Sequence, residues 1–515
     1  MSCSSNRSAG AFNRNLSKTQ SSSLGKVFAS YFSHSAIFPA WMRRRFNRPK
    51  RDFRKILYCN FIMPTAQKIT LSLLLGAGIL HPLPAQEPKK VIMPPSRASY
   101  ERRVEVVREI PGLAAFWDFV QREDGRGGQG NFIAYTSVSG ETRYPLQPQN
   151  ISRLFWQDGE EASLNDFPLL GRGPFGQAIQ FRSPKALNDL PVLLVPRNVL
   201  HDTPLDVKGP GRSVSMVVWL IHQDGSHAIA GMWHEGTDTP PTGVPAVVKV
   251  RGQRQYGMFA GLGANPGASS AHVSENGLAS FADKYAHHLA STREKMQPPT
   301  MEAGPEELDK SWSVAGFVYD NQKKNVTAYL NGVATEYWVE KPASQGFFKH
   351  AARAWQQARF ARFPGLQEGT DPAFPADQFY TPPETTPLSE SIELETAERR
   401  VLLRTFEYTK VRLTFLKGPD GQFHEQPDAE LVALKANPYW FGHDIYSPPS
   451  AQEGSPFTIG RVIHSNRHPT LSAWFGGVAV YANALTPGQM ATLAKIGRSV
   501  GEAPILRFED TQGRP

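Results

Sequence analysis

Along much of the chain, apolar side chains recur at every second position. In Ser213–Leu220 (SVSMVVWL), Val214, Met216, Val218 and Leu220 fall on one side of an extended chain, which is the pattern of a strand with a buried face. Comparable short runs occupy Ala114–Phe119, Ile133–Ser137, Ala178–Phe181, Val192–Val195, Ala228–Trp233, Val247–Arg251 and Tyr256–Leu262. Gly, Pro and Asn clusters separate them. Short strands punctuated by turn residues, without intervening helical repeats, predict an antiparallel sandwich and not βαβ units. Farther on, Trp312–Asp320, a polar turn at Asn321–Lys324 and Asn325–Leu330 read as a hairpin. Asn331-Gly332 supplies the positive φ angles of a tight turn into Thr335–Trp338. Phe457–Gly460 and Ala473–Tyr481 are the last strands. A short helix follows, with Thr486 as N-cap, Pro487 in the first helical position, Gln489 completing a capping box and Gly497 as its stop.

Two stretches break the alternation. Gly263–Lys310 reads as an insertion carrying one helix at Ala279–Met296, where the apolar spacing turns helical. A second insertion runs from about 341 to 455. It holds a helix at Phe347–Arg362, a Pro-rich stretch at Pro364–Pro387, an acidic run at Glu390–Glu398 and a strand at Val411–Leu416. Its length is too great for a structureless loop inside a compact domain. Residues 86–111 read as a linker or short edge strand, and the domain proper is expected over 112–500, with 501–515 as a polar tail.

Charge changes the picture only at the N-terminus. The formal net charge is +9, but residues 1–62 contain 12 Lys and Arg against the single acid Asp52, so the remainder is slightly acidic. A nucleic-acid footprint is a basic patch on the folded domain. Here the positive charge sits in a Ser- and Arg-rich extension, expected to be disordered or mistranslated, and no nucleic-acid partner is expected. From Met63 the chain reads as a secretory signal peptide: Lys68, an apolar Ile69–Leu80, and Leu83-Pro84-Ala85 before a cleavage point. This predicts a secreted, periplasmic or envelope protein, with membrane contact only if residues 63–85 stay uncleaved. Both cysteines, Cys3 and Cys59, precede Met63, so an exported chain would fold without disulfides or thiolate metal sites.

Four motifs in order carry a resemblance. Leu113, Trp117 and Phe119 form a first-strand signature; Phe175, Gly176, Ala178 and Phe181 follow. Trp312, Ala315, Tyr319, Asp320, Tyr329, Asn331 and Gly332 make a central hairpin. Ile459, Gly460, Arg461, Phe475, Gly476, Val478, Val480, Tyr481, Leu485, Thr486, Gln489 and Met490 close the set. Together they resemble the laminin-G-like and concanavalin A-like lectin–glucanase superfamily. The resemblance implies an all-β, antiparallel jelly-roll β-sandwich, here with two partly helical insertions, and a polysaccharide or cell-surface glycan or protein as partner. The carboxylate usual in the closing strand is missing from Gly476–Tyr481, which removes a residue tied in the family to structure or calcium. No cofactor is expected, and nothing in the residues supports calcium.

Candidate chemistry is sparse. Gly125–Gly130 (GRGGQG) fits a dinucleotide fingerprint by spacing, but no helix follows it, so it reads as a hairpin loop. Laminarinase-type hydrolases carry a Glu-x-Asp-x-x-Glu strand, which makes Glu393, Glu395 and Glu398 catalytic candidates. Their setting in a charged insertion favours a solvated helix or loop. His464 and His468 lie four apart and His287 and His288 are adjacent, but no helix presents either pair, and no metal centre is expected. Trp233, His234 and Asp238 sit at a strand end, where sandwich loops carry function. Tyr439, Trp440, His443 and Asp444 combine aromatic faces with hydrogen-bonding groups suited to sugar. Tyr439–Phe441 could equally anchor the insertion. These features favour a non-catalytic glycan- or surface-binding protein. A structural or adhesion component of the envelope, and a glycoside hydrolase or lyase on the same scaffold, are the alternatives.

Overall fold

The computed structural model describes residues 97–498 apart from 138–142, 185, 238–246, 262–264, 278–288, 301–303, 347, 364–378, 465–466 and 468–470. The chain divides into units Met1–Glu87 and Pro88–Pro515, and every described residue belongs to the second. Among the described residues, no helix is long and apolar enough to cross a membrane.

The strand Val214–Asp224 organises the fold. Its alternate residues Val214, Met216, Val218 and Leu220 enter the core between two sheets, as the spacing predicts. The intervening Val217, Trp219 and Ile221 are also buried, in a second cluster on the other face. An antiparallel strand covered on both faces must be apolar on both, and VSMVVWLI is. It pairs with Ser313–Asp320 on one side and Ser472–Tyr481 on the other. The complete first sheet runs Tyr439–Trp440, Asn325–Leu330, Ser313–Asp320, Val214–Asp224, Ser472–Tyr481, Ala178–Phe181 and Leu169–Leu170, with Leu113–Trp117 also on Ser472–Tyr481.

The second sheet runs Leu289–Lys295, Ala268–Val273, Gln253–Phe259, Ala228–His234, Phe457–Ile459, Pro191–Val195 and Gln147–Asn150. Its Met232, Tyr256, Met258, Ala271 and Ala290 meet the first sheet's inner face in one core with Trp117, Phe317, Phe475 and Val478. Trp117 stacks on Phe457 across it, centroids 5.2 Å apart. This is the antiparallel sandwich read from the strand pattern, in the jelly-roll form that the resemblance implies. On the first sheet's other face lie helices Arg97–Glu109 and Pro487–Arg498. Trp219 donates to the Leu493 carbonyl (3.1 Å) and Tyr481 to the Val107 carbonyl (3.0 Å). The Thr486–Gln489 capping box forms in both directions.

Several expectations give way. The segment read as a linker contains helix Arg97–Glu109, which covers an apolar face that a linker would leave wet. The segment read as an insertion at 263–310 supplies two strands of the second sheet, Ala268–Val273 and Leu289–Lys295, and a short helix Pro305–Lys310. Residues 289–295 of the expected helix are therefore extended, and 279–288 lie outside the described residues. Ser270 and Ser291 pair in register with hydroxyls 2.9 Å apart, and such polar pairs hide a strand from a hydrophobicity pattern. Val247–Arg251 forms no strand; pairing begins at Gln253. Ile133–Ser137 contributes a single bridge, Phe116 to Tyr135. Asn331 (φ 52°) and Gly332 (φ 79°) make the tight turn, but Tyr337–Glu340 then departs to a third sheet. Gly497 lies inside the last helix, where a Cβ would stand 2.5 Å from Val314 Cγ2; it permits close packing instead of stopping the helix.

The described residues of the insertion at 341–455 build most of a third sheet and a helix. Its sheet runs Tyr337–Glu340, Glu430–Asn437, Thr409–Lys417, Arg399–Thr405 and Ser389–Glu395. Helix Phe348–Phe360 packs on it through Ala351, Ala354 and Trp355, and this core is continuous with that of the sandwich. Replacing Trp219 by Ala is expected to cost about 3–5 kcal/mol of unfolding free energy, the usual range for emptying a large buried aromatic site. Chemical denaturation measures it. A loss under about 1 kcal/mol would mean that the helices do not depend on this contact.

Candidate functional site

The outward face of the second sheet departs from the rest of the core. The strands Ala228–His234 and Gln253–Phe259 lose register twice, between Arg254 and Tyr256 and between Met258 and Phe259. Such bulges bend and twist a pair of strands. Side chains flanking the two ends of Ala228–His234 converge beside this pairing. His227 precedes the strand and Glu235 follows it. His464 joins them from the segment after Phe457–Ile459, held there by the Glu235 N–H donating to the Ile463 carbonyl (2.7 Å).

The three side chains meet: one ligand-type atom from each of His227, Glu235 and His464 lies within 4.8 Å of the others. His464 Nε2 is 2.6 Å from Glu235 Oε2, and the imidazoles of His227 and His464 are 5.8 Å apart. The Trp233 indole N–H donates to Glu235 Oε1 (3.0 Å). Arg254 stands 3.7 Å from Glu235 Oε2 with its guanidinium 5.7 Å from the Trp233 ring centre. Phe259 and His272 complete the surround, their rings 5.0 Å apart. The Glu235 side chain is 3 % exposed and that of His464 13 %. Burial alone would raise the Glu235 pKa, but Arg254 and the hydrogen bond from His464 outweigh it and hold the carboxylate well below the usual range. A buried ionised group is costly unless paired and hydrogen-bonded, and this one is both.

The residues singled out from sequence separate into groups. Trp233 belongs to this cluster. His234, next to it, points its Nδ1 at the Gly236 N–H (2.9 Å) and packs its ring on Phe155 (5.3 Å). Burial first, then Arg254, lower its pKa to about 3. Asp238 lies outside the described residues, as do His468, His287 and His288. Tyr439 and Trp440 form the edge strand of the first sheet, against Asn325 and Val326. Tyr439 and Phe441 are fully buried. Tyr319 donates to the His443 carbonyl (2.5 Å), and Asp444 accepts from Asn321 (2.7 Å) and Lys324 (3.3 Å). This segment ties the third sheet to the sandwich, the anchoring role that the sequence left open.

Glu393 and Glu395 lie on Ser389–Glu395, a strand exposed at every residue and neither helix nor loop. Glu393 pairs with Arg412 (2.5 Å), Glu395 with Arg400 (2.6 Å) and Glu390 with Arg404 (2.6 Å). The hydrogen bond from Arg412 lowers the Glu393 pKa. Glu398 sits in the adjoining exposed turn. Glu390, Glu393 and Glu395 form cross-strand ion pairs in water, not a catalytic pair in a cleft. The loop Gly125–Gly130 joins the antiparallel strands Arg122–Asp124 and Gly130–Phe132, as expected of a hairpin. A second grouping, His201, Asp202 and Asp206, is already neutralised: Asp206 is bound by Arg197 (2.7 Å) and Lys208 (2.7 Å), and Lys208 also reaches Asp202 (2.6 Å).

Sequence reasoning missed His227, Glu235, His464 and Arg254 as a set. They come from three segments more than 200 residues apart at the extremes, and a search for paired histidines at helical spacing cannot find them.

No protein-family model matches the chain, and no curated protein matches it. Solved structures with some likeness include a botulinum neurotoxin serotype D/C binding domain (8 % identity, 75 % of this chain and 52 % of that chain, TM-score 0.29) and the binding domain of paraclostridial mosquitocidal protein 1 (7 %, 75 % and 52 %, 0.29). Another is domain 4 of AbnA, an extracellular arabinanase from Geobacillus stearothermophilus, in complex with arabinotriose (12 %, 74 % and 98 %, 0.23). The chain spans about half the length of the first two. At those TM-scores the likenesses place no residue and no ligand here.

Two outcomes follow for solution measurements. Glu393→Gln should change unfolding free energy by less than about 1 kcal/mol, as for other solvent-exposed ion pairs; a larger loss by denaturant titration would contradict the pairing described. His234 is kept neutral in the fold. Its contribution to stability is full above the unfolded value of 6.5 and drains as pH falls from there toward about 3. The denaturant midpoint of the wild type should fall over that window. His234→Asn, which keeps an acceptor for the Gly236 N–H, should shrink the fall; an unchanged profile would refute the assignment.

Proposed function

We propose that the chain is an exported, non-catalytic binding protein that takes a polysaccharide or cell-surface glycan against the outward face of its second sheet. The observation that carries this reading is the grouping of Trp233, Arg254, Glu235, His227 and His464 on the side of the sheet that the sandwich core does not use. Donors and acceptors gathered beside an indole suit the hydroxyls and apolar faces of a sugar ring. Binding is favoured over hydrolysis by the state of the carboxylate. A glycosidic general acid needs a raised pKa and a second carboxyl partner. Glu235 is instead held ionised, with imidazoles and a guanidinium around it.

An adhesion role has one specific support. The edge strand Ser389–Glu395 leaves one side without a partner strand among the described residues, and Leu388, Ile392 and Leu394 near it are 71 %, 57 % and 43 % exposed. Open strand edges bearing apolar residues invite pairing with another chain.

A glycan array probed with the purified protein and with Arg254→Gln tests the main reading. The wild type should bind a defined glycan class, and the variant should bind at least about tenfold more weakly with an unchanged circular dichroism spectrum, as loss of a charge-assisted contact implies. Absence of wild-type binding, or equal binding by the variant, overturns the glycan reading.

A further inference from the structure

The cluster on the second sheet has the composition of a metal site. His227 and His464 offer imidazole nitrogens and Glu235 offers a carboxylate oxygen, all within 4.8 Å of one another. Two imidazoles and one carboxylate are a ligand set used by zinc with one position left open. The set is wrong for calcium, which takes six to eight oxygens. We propose that His227, Glu235 and His464 bind a divalent transition metal of the zinc class.

Two further features support the assignment. The first is the outer arrangement. Metal-ligating carboxylates are themselves hydrogen-bonded, which fixes their orientation. The Trp233 indole N–H does this at Glu235 Oε1 (3.0 Å), leaving Oε2 on the side of His464 (2.6 Å). The second is how the ligands are held. His227 is fixed by its own carbonyl, which accepts from the Ala260 N–H (2.9 Å), and by an edge contact with Phe259 (5.9 Å). His464 is placed by the Ile463 bridge to His234. The ligands thus stand on backbone paired to the sheet, with the indole bracing the carboxylate. His464 Nε2 and Glu235 Oε2 are 2.6 Å apart; tetrahedral zinc at its usual ligand distances would hold them about 3.3 Å apart, a small outward shift of both. Arg254, 3.7 Å from Glu235 Oε2, balances the carboxylate's charge, and a dication must share that carboxylate with it. This predicts moderate affinity with a strong preference for imidazole-seeking metals over magnesium and calcium.

The inference goes beyond the glycan reading and stands without it, because the test uses the metal alone. The purified protein, stripped with chelator and dialysed against micromolar zinc chloride, should retain one zinc per chain by elemental analysis. Cobalt(II) should bind in its place with the visible absorption of a tetrahedral or five-coordinate nitrogen–oxygen site, whereas calcium and magnesium should leave the melting temperature unchanged. His227→Ala and His464→Ala should each weaken zinc binding at least about tenfold; Trp233→Phe should weaken it less and keep the stoichiometry, as expected for a group acting on a ligand and not on the ion. Circular dichroism melts check that each variant folds, and Glu235→Gln is read only if it does. Wild type that holds no zinc, or zinc binding unaffected by both histidine variants, overturns the proposal. Zinc binding without any glycan binding leaves the metal site standing and removes the glycan reading; glycan binding without zinc does the reverse.

Discussion

The fold depends on one strand having no solvent side. Val214–Asp224 is buried from Val214 through His222, and each face serves a different layer. One presses on the second sheet, the other carries the helices Arg97–Glu109 and Pro487–Arg498. Apolar area removed from water stabilises at roughly 25 cal/mol per Å², so a strand covered twice concentrates the driving force in a few residues. Trp219 shows the arrangement in miniature. Its ring packs edge-on against Phe116 and Phe175, with centroids at 5.9 and 4.9 Å, and its indole N–H caps the Leu493 carbonyl. Remove the helical layer and a row of large side chains faces water; remove the second sheet and the remaining core loses its opposite wall.

Against that apolar middle, the outward face of the second sheet is a local reversal. Sheet geometry gives each strand two faces, and once the inner one is filled the outer one is free to take other chemistry. Here side chains flanking both ends of the irregularly paired strand Ala228–His234 meet His464. A carboxylate, a guanidinium and two imidazoles then lie together. None of these groups would be tolerated buried singly; together they satisfy one another through short, charge-assisted contacts. The third sheet treats charge differently. Its glutamates on the exposed strand Ser389–Glu395 pair with arginines of the next two strands at the surface, where each pair contributes little and water does most of the solvation.

What could be read from the residues divides along the same line. Strands with a strict apolar alternation, such as Val214–Leu220, and the hairpin of Ser313–Asp320 with Asn325–Leu330 were legible because their signal is local. The capping box at Thr486 and Gln489 was legible for the same reason. Helix Arg97–Glu109 was not: its sequence RASYERRVEVVRE is rich in charge, and only the contact of Val104 and Val107 with the first sheet makes its amphipathic face visible. Leu289–Lys295 was missed because two of its three described buried positions, Ser291 and Thr292, are polar, and their hydroxyls find partners on the next strand. Trp233 was flagged by its position at a strand end. Glu235 and His464 gain meaning only from proximity that 228 residues of intervening chain conceal, and the aromatic run Tyr439–Phe441 looked like a binding surface because an anchor and a sugar platform use the same residue types.

The pairing of Leu113–Trp117 with Val478–Tyr481 joins nearly the first described strand to the last. Loop-closure entropy must be spent before contacts this distant return anything, and chains dominated by such contacts form slowly. The sandwich therefore cannot complete its hydrophobic interior until synthesis has passed Tyr481. Up to that moment the nascent polypeptide keeps Val214–Ile221 open on an unfilled flank, a state exposed to association with other chains and to chaperone capture.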